Sequence, residues 1–95
     1  MSTLIKRCAQ AGSLESGDAL VQVAPSDGEK LALHIKSKVG PRFSKSMHES
    51  VHAVAEELGV TAAAVEIVDR GALDFVLRAR VTTALRRAME AEIHE

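Results

Sequence analysis

Aromatic side chains are almost absent from this sequence, which contains two phenylalanines and neither tryptophan nor tyrosine. Proteins that bind single-stranded nucleic acid use such rings as platforms on which bases stack. The formal net charge of −1 provides no excess of cations that would attract a polyanion. We therefore expect no nucleic-acid partner, and the core must be built from aliphatic residues.

Cysteine and long apolar runs are equally scarce. Cys8 is the single cysteine, so it has no partner for an internal disulfide and is expected to be a plain free thiol. No stretch approaches the ~20 apolar residues of a membrane-spanning helix, and residues 1–7 lack the apolar run of a secretory signal. These absences predict a cytoplasmic protein without a membrane segment.

The length is sufficient for one domain. Two independent cores within 95 residues would each be close to the lower size limit for folding. The sequence also shows no linker, internal repeat or low-complexity tract. We expect a single domain over residues 1–95, in which residues 1–10 and 90–95 are frayed.

Three short strands are predicted in the first part of the chain. Residues 10–15 and 19–24 lie on either side of Ser16-Gly17, and a two-residue connection with glycine is typical of a β-hairpin. Residues 30–36 alternate between apolar and polar side chains, which indicates a strand with one face in water. The sequence thus places Ser16 at the tip of a hairpin.

Helical spacing follows the third strand. Pro41 suits the first position of a helix, where its missing N–H costs nothing, and Gly59 suits a left-handed cap at the end. The apolar stripe between them consists of Phe43, Met47, Val51, Val54 and Leu58.

A fourth strand and a second helix complete the pattern. Residues 64–69 form the strand, and residues 73–89 have helical spacing, although residues 72–77 are equally compatible with an extended strand. The order β-β-β-α-β-α predicts a small α+β domain with two helices packed on one face of a sheet. The apolar stripe of the second helix consists of Leu73, Leu77, Val81, Ala84, Leu85 and Ala88.

Residues 48–52, His-Glu-Ser-Val-His, match the H-E-x-x-H signature of zinc metalloproteases. Val51, however, belongs to the stripe that packs on the sheet, which turns His52 toward water. A catalytic zinc also needs a third protein ligand and an enclosed cleft, and no familiar third-ligand spacing follows His52. We therefore predict no metal site and keep a small zinc protein as a remote alternative.

Two separated segments carry a family resemblance. The first is Ala11-Gly12-Ser13-Leu14-Glu15-Ser16-Gly17-Asp18, and the second is Asp69-Arg70-Gly71-Ala72-Leu73-Asp74-Phe75-Val76-Leu77-Arg78-Ala79-Arg80. Ile35-Lys36-Ser37-Lys38-Val39 and the following helix fit between them in order and spacing. From Ala11 to Ala88, the chain resembles the acyl carrier proteins of citrate lyase, the gamma subunits.

The resemblance implies a carrier subunit without catalytic residues of its own. In this family the serine of the Glu-Ser-Gly-Asp segment holds phosphoribosyl-dephospho-CoA through a phosphodiester, and here that serine is Ser16. A separate prosthetic-group transferase is expected to load it. The implied partners are the alpha subunit, which exchanges acetyl for citryl on the thiol of the group, and the beta subunit, which cleaves the citryl thioester to oxaloacetate.

The carrier subunit of malonate decarboxylase is the alternative interpretation. It uses the same prosthetic-group chemistry and resembles this chain around Ser-Gly-Asp. It lacks a close counterpart to residues 71–80, which favours the citrate lyase family.

The roles of several residues near these segments stay open. Glu15 and Asp18 are either recognised by a partner or, in the case of Asp18, form the turn through an Asx-type hydrogen bond. Arg78 and Arg80 either contact the phosphates of the prosthetic group or form ion pairs. Phe75, which lies off the apolar stripe, marks either a subunit contact or a later start of the second helix.

Overall fold

Four strands and two helices follow one another in the predicted order. The computed structural model describes residues 4–89, so the predictions for residues 1–3 and 90–95 lie outside the described part. In the segment predicted to fray before the first strand, Ile5 is buried and the Lys6 N–H donates to the Ala88 carbonyl at 3.0 Å. The elements are β1 (Ala9–Ala11), β2 (Ala19–Ala24), β3 (Leu31–Lys36), α1 (Pro41–Glu57), β4 (Ala63–Asp69) and α2 (Asp74–Met89).

The strands of the described residues form one sheet in the order β1-β2-β4-β3. β2 is antiparallel to both β1 and β4, whereas β3 and β4 are parallel. A parallel pair needs a long crossover rather than a tight turn, and α1 supplies it. β4 therefore lies between the N-terminal hairpin and β3, and Asp69 at its end pairs with Ala19 at the start of β2. The predicted α+β architecture is confirmed.

Both helices cover the same face of the sheet, as predicted. Buried and more exposed residues alternate along β2 and β4, in keeping with the two-residue period of a strand. Leu77, Val81 and Leu85 of α2 are at most 2% exposed, and Val51 and Val54 of α1 are also buried. Burial of each such side chain contributes about 1.5–3 kcal/mol. The opposite face presents the exposed polar side chains of Gln22, His34 and Glu66.

The apolar stripe predicted for α1 is correct except at Phe43, since Met47 and Leu58 pack against the core as well. The helix begins at Pro41 and ends before Gly59, whose φ of 74° confirms the predicted left-handed cap. Its first turn projects past the core, because residues 41–43 are all exposed. Phe43, which was expected in the stripe, is 62% exposed for this reason. The buried residues of α1 are Ser50, Val51, Val54 and Ala55.

Helix α2 begins at Asp74, so residues 74–77 are helical and the strand does not extend through them. The Leu73 carbonyl accepts the N–H groups of Val76 and Leu77, which makes Leu73 the residue that precedes the helix. Its side chain is 64% exposed, so its assignment to the apolar stripe was wrong. Phe75 is 70% exposed on the first turn.

Neither helix of residues 4–89 has the length and apolarity to cross a bilayer.

We expect Leu85→Ala to lower the free energy of unfolding by about 3 kcal/mol. Leu85 is fully buried, and the backbones of α2 and the sheet on either side prevent the resulting cavity from collapsing. Urea unfolding followed by circular dichroism measures the change. Leu73→Ala removes the same atoms from an exposed side chain and should cost no more than about 0.5 kcal/mol. Equal losses in the two variants would contradict this packing.

Candidate functional site

The predicted two-residue hairpin connection is wrong, because residues 12–18 join β1 to β2. The two strands do form an antiparallel hairpin, with Ala11 opposite Val21, but β1 ends at Ala11 rather than at residue 15. At Gly12 the chain has a φ of 90° and passes so close to Ala19 that a Cβ would lie 1.8 Å from the Ala19 carbonyl oxygen. The ladder ends at this close approach, and the chain continues as a loop that carries Ser16.

Ser16 lies at the second position of a tight turn within this loop. The Asp18 N–H donates to the Glu15 carbonyl at 3.0 Å, and Gly17 has a φ of 84°. This hydrogen bond, with a positive φ at the third residue, is the pattern of a type II turn, in which glycine is favoured. No atom lies within 4 Å of the position that a Cβ on Gly17 would occupy. Ser16 is exposed beside this open space, so its hydroxyl is accessible to another protein.

The carboxylate of Asp18 links the loop to α2 through hydrogen bonds. It accepts the Ala19 N–H at 2.8 Å and the Ser13 hydroxyl at 2.8 Å. Arg80 donates to both of its oxygens, from Nε at 2.8 Å and from Nη2 at 3.3 Å. The hydrogen bond from Arg80, followed by those from Ser13 and Ala19, holds the pKa of Asp18 well below its usual range. Asp18 therefore forms the loop, and Arg80 is committed to an ion pair.

The end of β4 supports the turn from a distant part of the chain. The Gly17 N–H donates to the Arg70 carbonyl at 2.7 Å, and the Arg70 N–H donates to the Asp18 carbonyl at 2.9 Å. These bonds continue the pairing of β2 and β4 beyond Ala19 and Asp69. Together with the Asp18–Arg80 pair, they bring the two segments of the family resemblance into direct contact.

Asp69 holds the segment after β4 in place. It is 8% exposed, and its Oδ2 accepts the Ser37 hydroxyl at 2.8 Å. Its Oδ1 accepts the N–H groups of Gly71 at 3.2 Å and Ala72 at 3.0 Å. The carboxylate thus joins the β3–α1 connection to the β4–α2 connection, and both connections border the Ser16 turn.

We expect Asp18 to make the stability of the domain depend on acid. The pKa of Asp18 in the folded state lies below its ordinary value of 3.8, so its contribution is complete above that pH and is lost as the pH falls further. The free energy of unfolding should therefore decrease less between about pH 5 and about pH 2 in Asp18→Asn than in the wild type. Part of the dependence on pH should remain in the variant, because the hydrogen bond from Ser50 also lowers the pKa of Asp74.

Asp27→Asn is the matched control, because Asp27 is exposed in the connection between β2 and β3. It should keep the wild-type dependence on pH. A wild-type slope in Asp18→Asn would show that the Asp18–Arg80 pair does not form in solution.

Known proteins resemble this chain over nearly its whole length. The citrate lyase acyl carrier protein of Streptococcus mutans serotype c is 42% identical over 91 residues, which are 96% of this chain and 89% of that protein. The protein of the same name from Streptococcus pyogenes serotype M5 is 42% identical over 84 residues, which cover 88% of this chain and 82% of that protein. The chain belongs to the citrate lyase acyl carrier protein family. The resemblance expected from the sequence is confirmed.

The chain also resembles proteins of malonate decarboxylase. Residues 6–88 match the family model described as "ACP: Malonate decarboxylase delta subunit (MdcD)". Among solved structures, a chain of a Pseudomonas malonate decarboxylase hetero-tetramer in complex with malonate has a TM-score of 0.77 at 23% identity. The match covers 92% of this chain and 89% of that chain. The structural likeness shows that the two share a fold.

An open groove of about 680 Å³ lies beside Ser16. Its lining includes the cationic residues Lys36, Lys38 and Arg70, which come from β3, the β3–α1 connection and the end of β4. The sequence alone did not indicate this group of cations. Each stands in a segment that carries the resemblance, but only the order β2-β4-β3 brings all three to the Ser16 turn.

Arg78, like Arg80, forms an ion pair. Its Nε lies 2.8 Å from Asp74 Oδ2, one helical turn away. The Arg78 side chain is 44% exposed, so the pair contributes little to stability. Neither arginine is part of the groove lining. Glu15 is exposed, so a partner can reach it.

The H-E-x-x-H pattern of α1 has a structural explanation. Ser50, in its middle, is buried and donates a hydrogen bond to Asp74 at the start of α2. Val51 packs in the core, while His48 is half-buried and His52 is exposed. Across the described part of the chain, no group of three or more histidine, cysteine or acidic side chains is arranged to hold a metal ion.

Proposed function

We propose that this chain is the acyl carrier subunit of a citrate lyase and that Ser16 carries phosphoribosyl-dephospho-CoA through a phosphodiester. The observation that supports the site most directly is the exposed position of Ser16 in a turn that both segments of the family resemblance hold in place. The relatives that are 42% identical and named citrate lyase acyl carrier protein support the choice of enzyme.

The surroundings of Ser16 are compatible with such a group. The open space beside Gly17 leaves room for a transferase and for the first atoms of the prosthetic group. The adjoining groove supplies cations that suit phosphate oxygens. Among the described residues no side chain forms a hydrogen bond with Ser16, so activation of its hydroxyl is assigned to the transferase.

The protein contributes position, and the group supplies a thiol that carries acetyl and citryl thioesters during cleavage of citrate to oxaloacetate and acetate. The Asp18–Arg80 pair and the two backbone hydrogen bonds to Arg70 fix the attachment point relative to the domain. Tethering then keeps the reacting acyl group at an effective concentration of millimolar order for both catalytic subunits. The proposed partners are the alpha and beta subunits and the transferase, all in the cytoplasm.

The carrier subunit of malonate decarboxylase is the second candidate, because the matching family model is described as the delta subunit of that enzyme. Reconstitution separates the two. The loaded chain should restore citrate cleavage when mixed with citrate lyase alpha and beta subunits. It should not restore malonate decarboxylation with the subunits of that enzyme, and the reverse result would favour the second candidate.

Intact-mass analysis tests the attachment itself. The full chain coexpressed with a citrate lyase prosthetic-group transferase should gain the mass of one phosphoribosyl-dephospho-CoA group. The tryptic peptide of residues 8–30 contains Ser13, Ser16 and Ser26, so fragmentation within that peptide must place the group on Ser16. An unmodified chain, or a group on another serine, would contradict the proposal.

A further inference from the structure

The groove beside Ser16 contains cations without ion-pair partners. Within residues 4–89, the ion pairs are Arg78–Asp74 and Arg80–Asp18. Lys36, Lys38 and Arg70 belong to neither pair, and all three are exposed. Unpaired cations that converge on one groove attract an anion more strongly than the same charges spread over the surface.

Asp69 is the acidic residue in the lining, and its single carboxylate offsets at most one of the three positive charges. Its carboxylate is engaged with the Ser37 hydroxyl and with the N–H groups of Gly71 and Ala72. It is also buried, at 8% exposure. With three cations and one carboxylate in its lining, the groove has a net positive charge.

Arg70 is already ordered for binding. Its N–H and carbonyl groups are bonded to Asp18 and Gly17, so its backbone is fixed beside the Ser16 turn. Only its side chain must be immobilised when it binds a ligand, which reduces the entropic cost. A guanidinium group presents several donors that match two phosphate oxygens at once, and lysines add compact positive charge.

We propose that this basic groove, formed by Lys36, Lys38 and Arg70, binds the phosphate-bearing inner part of the nucleotide group attached to Ser16. The inference rests on the proposed function. A phosphodiester on Ser16 places an anionic phosphate one bond from the serine oxygen, and Ser16 itself lines the groove. The groove holds the inner end of the group against the domain, while the outer end with the thiol extends to the catalytic subunits.

Nuclear magnetic resonance on the full chain, unloaded and loaded, tests this placement. Loading should shift the backbone amide resonances of Lys36, Lys38 and Arg70 in addition to those of residues 15–18. Because the binding is electrostatic, raising the salt concentration from about 0.05 M to about 0.5 M should reduce the shifts at the three cations by about half or more. The shifts within the turn, which come from the covalent bond, should persist.

A triple variant, Lys36→Gln with Lys38→Gln and Arg70→Gln, provides the second readout. In its loaded form the phosphorus resonances should narrow relative to the wild type, because the inner phosphates move more freely. The matched control neutralises exposed cations that do not line the groove, and its phosphorus linewidths should equal those of the wild type. The control substitutions are Lys30→Gln, Arg42→Gln and Lys45→Gln.

The outcomes separate this inference from the proposed function. A chain that is modified on Ser16 but shows shifts confined to residues 15–18 would overturn the groove and leave the attachment intact. A chain that no transferase modifies would overturn both. If the triple variant resists loading, the comparison of loaded and unloaded wild type, with its dependence on salt, still decides the question.

Discussion

The Ser16→Ala chain coexpressed with the prosthetic-group transferase should keep its unmodified mass, and citrate lyase reconstituted with it should show no activity above background. The substitution removes the one oxygen to which we assign the phosphodiester. No neighbouring group can replace it, because the turn holds its backbone through fixed hydrogen bonds from Asp18 and Gly17. The expected effect is complete loss rather than a partial decrease in rate.

The same variant should fold normally, which makes the loss interpretable. The Ser16 side chain is exposed and forms no hydrogen bond with any described residue, so its free energy of unfolding should stay within about 0.5 kcal/mol of the wild type. Ser46→Ala removes another exposed serine hydroxyl, from α1, and should be loaded to completion. A prosthetic-group mass that survives in Ser16→Ala would defeat the site assignment.

Ser13→Ala should give an intermediate result. The Ser13 hydroxyl donates to Asp18 Oδ2 and accepts the Glu15 N–H at 3.2 Å, so it orders the loop on the way to the turn. Without it, Arg80 still holds Asp18. We expect slower loading with an unchanged final mass, measured as the time course of modification by purified transferase.

The order of the elements could be predicted because the apolar residues of each strand or helix recur at the spacing typical of that structure. The alternation along β3 and the helical spacing of α2 are local properties of the sequence, and so are Pro41 and Gly59 at the limits of α1. The spacing of apolar residues identifies which side of a helix is apolar. It does not show where along the helix axis the contact with the core ends. Phe43 and Leu73 follow the apolar pattern and still lie beyond the packed region.

The geometry of the loop could not be read from local sequence. Ser16-Gly17 suits a two-residue turn when only its neighbours are considered. The actual loop depends on Arg80, which is 62 residues from its partner Asp18, and on the passage of Gly12 across Ala19. The resemblance had marked both segments as important, but it did not reveal that they touch.

Gly12→Ala should destabilise the domain by about 4 kcal/mol, a large part of the stability expected for a domain of this size. A positive φ such as that of Gly12 costs a residue other than glycine about 1–3 kcal/mol. In addition, the new Cβ would lie 1.8 Å from the Ala19 carbonyl oxygen and 2.9 Å from its carbon. Relief of this overlap requires Gly12 and the start of β2 to move apart. It also disturbs Arg80, whose Cδ lies 3.2 Å from the same position.

Alanine substitutions at three glycines distinguish the cost of backbone conformation from the cost of steric overlap. Urea unfolding measures the loss of stability in each variant. Gly17→Ala shares the positive φ but meets no atom within 4 Å, so it should cost only about 1–2 kcal/mol. Gly28 has no positive φ, and a Cβ there would lie at an ordinary 3.7 Å from the Ser26 hydroxyl, so Gly28→Ala should be neutral or stabilise slightly. Equal losses at Gly12 and Gly17 would mean that the chain does not cross Ala19 closely. Because the overlap moves the anchor of Asp18 as well, Gly12→Ala should also slow the loading of Ser16 more than Gly28→Ala does.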